Sequence, residues 1–229
     1  MTVVCGIDVG SLRTLSYVAW LSDRTFLLDL YVSSPANPLP EVPREWERPA
    51  YIGLDAPQGL PVRGAPRREA DRNAKTPTSK LPSDRSQLRE WPIYRELIEA
   101  GVEMFWSIQQ AKLGSIFGLS SQSDDPSPVV LETYPRYVIK RKWPDLWPIP
   151  SKRKQPFDYI DAIWNLLTSE GYRCSSVRRP SVGQVDAMLC ALAAESCVAA
   201  EGVPAGTVGS KPMVDLEAQV LREGYIVSP

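Results

Sequence analysis

Four acidic residues sit where polar chemistry is the best reason for an acid to be. Asp8, Asp55 and Glu132 each end a short apolar run: Val3-Val4-Cys5-Gly6-Ile7, Tyr51-Ile52-Gly53-Leu54 and Val129-Val130-Leu131. An acid in that place stands where strand gives way to loop, and open α/β sheets bind their ligands at the carboxyl ends of the strands. If the three strands are parallel neighbours, three carboxylates converge on one edge. Asp55, followed by Ala56-Pro57, is also a natural turn former; Glu132 is a poor one. The fourth acid, Asp186, lies in an apolar helical stretch and shares a face with Leu189, Cys190, Ala193 and Cys197. A carboxylate there is costly unless donors or a cation meet it. Its partner is either a structural arginine, Arg178 or Arg179, or a metal ion shared with the strand-end acids. Clustered carboxylates repel one another and need a divalent ion between them. Two such ions ~3.5–4 Å apart activate a water and stabilise the leaving oxygen in phosphodiester cleavage.

The rest of the composition narrows the chemistry further. The chain has no histidine, which excludes Ser-His-Asp and Cys-His catalysis, histidine-ligated zinc and an imidazole base. Carboxylates without imidazole or thiolate ligands favour a hard ion, Mg²⁺ or Mn²⁺. Cys5, Cys174, Cys190 and Cys197 lack C-x-x-C spacing and read as thiols in a reducing compartment. No apolar run approaches the ~18 residues of a membrane span, and Met1–Asp8 has neither a basic n-region nor an uninterrupted apolar core. A cytoplasmic protein that does not cross a bilayer is the expectation. Its 229 residues, 43% apolar and 23% charged, are globular in balance, and one domain over 1–229 is the simplest division.

The elements that must hold these acids can be traced along the chain. Val3–Val9, Thr14–Leu21 and Phe26–Val32 read as three antiparallel strands joined by short polar turns. Residues 33–50 carry five prolines and form a connection. Ala50–Leu54 is a fourth strand. Residues 61–92, basic and punctuated by proline, read as a long mobile surface insertion. A helix is predicted from Ile93 to Gln110, a loop over 120–128, and a fifth strand at Val129–Leu131. Further helices follow over Phe157–Glu170, closed by Gly171, and over Ser181–Ala200, with Ser181 as N-cap and Gly202 at the end. The order predicts a mixed sheet flanked by helices, parallel where helical crossovers intervene.

Several blocks carry a resemblance. Gly6-Ile7-Asp8, the run from Ile52 through Asp55-Ala56-Pro57-Gln58-Gly59-Leu60-Pro61, Arg68-x-x-Asp71-Arg72, Glu132-Thr133-Tyr134-Pro135 and Asp186 through Leu192 resemble, in order, the domain-of-unknown-function 429 family. That family is described as predicted RNase H-like nucleases. The ending Gly224-Tyr225-Ile226-Val227-Ser228-Pro229 is similar to its Gly-Trp-Ile-x-x-Pro close. The resemblance implies a ribonuclease H-like fold, a five-stranded mixed sheet of order 3-2-1-4-5 flanked by helices. It also implies metal ligation by Asp8, Asp55 and Asp186, with Glu132 as an added catalytic carboxylate that ligates or positions water.

A substrate surface is legible in local charge, since the whole chain carries only −1. Residues 63–95 hold nine basic and four acidic side chains, and residues 136–154 hold seven and one. The patches follow the Asp55 and Glu132 strands and so emerge at the edge where the acids should gather. Arg68 and Arg72, four apart, suit a phosphate clamp if locally helical, and Arg136 begins the second patch. Trp143 and Trp147 are candidate base platforms. DNA or RNA is the expected partner, and the reaction a Mg²⁺- or Mn²⁺-dependent hydrolysis by Asp8, Asp55, Glu132 and Asp186. Two other readings stay open: an actin-like or sugar-kinase-like phosphotransferase, suggested by Asp8-Val9-Gly10-Ser11 and Gly206–Ser210, and a non-catalytic scaffold of the same fold.

Overall fold

The structure, a computed structural model, describes residues 2–77, 81–92, 94–119, 128–175 and 179–229. Lys80, Ile93, Arg178 and most of the loop expected over 120–128 lie outside the described residues.

Alternating apolar and polar residues at the start of the chain produce the expected meander. Strands β1 (Val4–Asp8), β2 (Leu15–Ser22) and β3 (Thr25–Val32) pair antiparallel in succession. The sheet then grows on the other side of β1. Strand β4 (Tyr51–Leu54) lies parallel to it, and β6 (Val129–Thr133) lies parallel to β4, with the two-residue β5 (Ser115–Ile116) beside β6. A short β7 (Arg173–Cys174) extends the β3 edge, and a hairpin of β8 (Val208–Asp215) and β9 (Val220–Val227) closes the opposite one. Among the described residues the sheet thus runs β7-β3-β2-β1-β4-β6-β9-β8, nine strands counting β5, where five were expected.

Strand alternation divides the sheet into two faces. Cys5, Ile7, Ile52, Leu54 and Val130 pack on one face against Ala100, Met104, Phe105 and Ile108 of helix α2 (Arg95–Ala111). Val4, Ala19, Leu21 and Phe26 pack on the other face against helix α5 (Val182–Ala199). Helices α3 (Pro135–Lys142) and α4 (Pro156–Ser169) in turn cover α5. Enclosed this way, α5 has no polar stripe and is buried on nearly every side. Its length and composition are those of a membrane span, although the sequence showed no unbroken run of that size; most of the helix is buried inside the protein. It begins where expected, with Ser181 and Gln184 forming a reciprocal capping box.

The closeness of α5 to the sheet depends on two glycines. A Cβ on Gly6 would lie 2.1 Å from both the Ala187 carbonyl oxygen and the Ala191 nitrogen, and one on Gly53 would lie 2.5 Å from the Cys190 oxygen. These are partner positions on neighbouring strands, so together they form a backbone groove for the helix.

Residues 61–92 are not the loose surface insertion that the composition suggests. They contain α1 (Glu69–Ala74) and a 3₁₀ turn over Arg85–Glu90, and they bury Arg68, Ala70, Asp71, Leu81 and Leu88. Strand β9 holds this segment through charged side chains. Glu223 accepts from the backbone nitrogens of Val62 (3.2 Å) and Glu69 (3.1 Å), the latter in the first turn of α1, while Arg222 donates to the Pro61 carbonyl (3.0 Å).

Replacing Gly6 with alanine should force α5 off the sheet. Overpacking costs typically ~1–3 kcal/mol, or roughly 2–4 °C of melting temperature per kcal/mol in a chain of this size. A thermal unfolding scan of G6A indistinguishable from that of the parent protein would refute this account of the groove.

Candidate metal centre

The groove fixes where three carboxylates meet. Asp8 continues the Val4–Gly6 face of β1. Asp55 follows β4 on the matching face of Tyr51 and Gly53, its backbone nitrogen bonded to the Ile7 carbonyl at 2.9 Å. Helix α5, lying along that face, brings Asp186 of its second turn over the ends of both strands. One carboxylate oxygen from each of Asp8, Asp55 and Asp186 lies within 4.8 Å of the others. Asp186 is buried, and Asp8 and Asp55 are half-buried. Close contact at the helix start tightens the arrangement: a Cβ on Gly183 would lie 2.2 Å from the Tyr17 ring and 2.9 Å from Asp8 Oδ2.

Two donors meet Asp186. Lys152 Nζ, on the segment leading into α4, donates to Oδ2 at 2.5 Å, and the Tyr159 hydroxyl of α4 donates to Oδ1 at 2.6 Å. Among the described residues no arginine pairs with it: Arg179 pairs with Asp161 at 2.7 Å instead, and Arg178 lies outside those residues. Burial, then the charges of Asp186 and Asp55, push the Asp8 carboxyl well above the usual carboxylate range. Asp55 is pushed up to about 7, chiefly by burial, with Lys152 pulling it down and Asp186 and Glu132 pushing it up. For Lys152, burial alone would favour the neutral amine, but the Asp186 and Asp55 charges outweigh it and hold the ammonium. Three half-buried or buried carboxylates whose oxygens gather within 4.8 Å, two of them raised chiefly by burial, are a set of oxygen donors that a hard divalent cation fits.

Glu132 does not join this group, and the pleat explains why. Its register partner on β4 is Leu54 and not Asp55, so its side chain leaves the sheet on the opposite face. There it is buried and paired: Arg68 Nη1 and Nη2 donate to its two oxygens at 2.6 and 2.7 Å, and the Gln58 nitrogen donates at 2.7 Å. The same guanidinium binds Asp71 through Nε (2.7 Å) and Nη2 (3.0 Å). Arg68 has no exposed surface and serves as the buried counter-ion of two acids, not as an exposed phosphate contact. Arg72, expected to share its role, is exposed on α1.

A cleft of ≈ 360 Å³ opens over Asp55, bordered by Tyr94, Leu97, Tyr134, Arg136, Lys152 and Arg153. Arg136 is exposed at its rim and lies over the Trp147 ring, 5.5 Å from the centroid. Trp147 is itself 47% exposed, whereas Trp143 is half-buried and donates to Glu170 at 2.6 Å. Of the two tryptophans, only Trp147 presents much open surface. Sequence reasoning placed Lys152 in a basic patch without a specific role, carried Tyr134 only inside the Glu132–Pro135 block, and passed over Tyr159 and Tyr94. The patch was the available signal for Lys152. None marked Tyr159, because helical spacing toward a distant acid is invisible without the fold.

The family model described as a protein of unknown function (DUF429) matches residues 6–207. The chain belongs to the DUF429 family. The matched span holds all three clustered aspartates together with Lys152 and Tyr159, so the centre lies wholly within the DUF429 region. No curated protein and no solved structure matches the chain.

Two predictions follow from these charges. Arg68→Met should leave Glu132 and Asp71 buried without a counter-charge and cost about 3–5 kcal/mol; a chemical denaturation midpoint unchanged by the substitution would contradict the structural role. The metal-free protein should also lose stability as pH rises. With Asp55 raised to about 7, the folded state binds more protons than the unfolded chain between about pH 4 and pH 7. Stability from this group is therefore full below that window and lost across it. Asp8→Asn should raise the melting temperature at about pH 8 by about 2–4 °C, the shift that roughly 1 kcal/mol produces here, and millimolar Mn²⁺ should stabilise only the parent. A melting temperature flat in pH and in Mn²⁺ would count against the cluster.

Proposed function

We propose that this DUF429 protein is a hydrolase that cleaves phosphodiester bonds in nucleic acid with Mg²⁺ or Mn²⁺ held by Asp8, Asp55 and Asp186. The observation that carries the reading is the approach of these three carboxylates to within 4.8 Å at the carboxyl ends of neighbouring strands. A bound divalent ion would supply a water of lowered pKa and offset the charge developing on phosphate. The chain's own part is to hold the three acids ionised around it, to fix Asp186 through Tyr159 and Lys152, and to receive the phosphate backbone. Arg136, Lys152 and Arg153 border the cleft and form its phosphate-binding side, with Arg72 exposed on α1 as a further candidate contact; the exposed face of Trp147 suits a base. The run β3-β2-β1-β4-β6 inside the larger sheet supports a ribonuclease H-like core. The thiols of Cys5 and Cys190, buried and pushed up by that burial, are in keeping with a cytoplasmic protein.

The phosphotransferase alternative has less support. After β1, the Ser11 and Thr14 hydroxyls bond each other at 3.0 Å, and the Thr14 hydroxyl also accepts from the Ser11 nitrogen and donates to the Ser11 carbonyl. Of Gly206–Ser210, a stretch that can be mistaken for an adenosine loop, Val208–Ser210 lies in β8.

The test is cleavage of labelled single-stranded and duplex DNA and RNA by the purified protein with Mg²⁺ or Mn²⁺. Asp8→Asn and Asp186→Asn should each lower the rate ~10³-fold, the scale of the several kcal/mol that metal-ion catalysis contributes, while leaving the fold intact by circular dichroism. Equal cleavage by the variants would assign the activity to a contaminant. A fully folded protein inert with every substrate and metal would favour the scaffold.

A further inference from the structure

We propose that Lys152 is a built-in second cation of the centre, so that the protein works with one divalent ion where a carboxylate site of this kind would otherwise hold two. The idea rests on the metal-centre reading above and specifies the number of ions it takes. Lys152 Nζ lies 2.5 Å from Asp186 Oδ2, the distance of a strong charge-assisted bond. The Tyr159 hydroxyl occupies the other oxygen at 2.6 Å. The lysine cannot be dismissed as a surface group that drifted inward. Its side chain is mostly buried, it lies over the Tyr159 ring at 5.3 Å from the centroid, and it borders the cleft beside Asp55 and Arg153. The ammonium thus borders the space a substrate would enter, beside Asp55, while bonded to Asp186.

Charge decides how many ions this arrangement can take. Three carboxylates carry −3 and Lys152 brings the group to −2, which one divalent ion neutralises. A second ion ~3.5–4 Å from the first would leave +2 in a partly enclosed site and would have to share Asp186 with both the lysine and the tyrosine. Without the lysine, two ions leave only +1, most of which a single phosphate offsets. A fixed ammonium can also do the electrostatic part of the second ion's work, holding positive charge against a phosphate oxygen as negative charge grows there. It does so with no ion to recruit, and the aromatic face beneath it keeps it aimed.

The experiment is a titration of the full-length, metal-stripped protein with MnCl₂, followed by calorimetry and by electron paramagnetic resonance. Asp8→Asn serves as the blank for ions bound elsewhere. The parent protein should take one Mn²⁺ that D8N does not, with the spectrum of an isolated ion. Lys152→Met, similar in shape but uncharged, should take two, with the spin coupling of a close pair, and Lys152→Arg should return the count to one. Two coupled ions in the parent would overturn the proposal and leave the metal centre standing. A single ion in K152M, whatever its affinity, or two in K152R, would overturn it equally. No D8N-sensitive ion in the parent would remove the metal centre and this inference together. Circular dichroism of each variant separates a lost site from a lost fold.

Discussion

The approach of one helix to two strands is the constraint on which the rest of this molecule depends. Gly6 and Gly53, side by side on β1 and β4, leave no side chain between the sheet and α5. Backbone then meets backbone, and the helix sits a side chain's depth closer than ordinary packing would allow. Asp186 reaches the strand ends only because of that depth. The helix gains its stability from burial alone, having no polar face to contribute otherwise. Strand alternation supplies the other condition, since it places Asp8 and Asp55 on the face that the helix covers.

The same alternation separates two kinds of buried charge. On the α5 face, three carboxylates converge with one lysine and one tyrosine among them, and the charges do not balance. On the opposite face, Glu132 and Asp71 share Arg68 through bidentate contacts, and nearly every donor and acceptor is matched. The second set behaves as structure: it ties the segment before α1 to the end of β6. The first keeps an imbalance that a bound cation would remove, and the raised carboxyl groups of Asp8 and Asp55 express it.

Much of this was legible in the sequence. The apolar runs that became β1 to β4 and β6, the capping serine of α5, and the convergence of Asp8, Asp55 and Asp186 all follow from local pattern. The failures have a common cause in buried ionic residues. Strand β9 went unread because Arg222 and Glu223 interrupt its apolar run, and both are buried against partners far away in sequence. Residues 61–92 read as surface because Arg68 and Asp71 look solvated until their partners are known. Glu132 was grouped with the aspartates because it too ends a strand; it borders the same cleft as Asp55 but does not meet the cluster. Only the register, which pairs it with Leu54, reveals that it is one pleat out of step. Pattern gives the period of a strand but not its phase against its neighbours.

The predominantly apolar character of α5 also bears on how the chain is made. Until it docks, this helix is an 18-residue segment that water disfavours on every side, open to aggregation or to capture by a lipid phase. It is synthesised late. Three of the strands it lies against, β1, β2 and β4, precede it by more than a hundred residues, as do the two glycines that shape its seat. Translation order therefore presents the receptor before the ligand, and the segment most dangerous when exposed emerges only after its place of burial has been made.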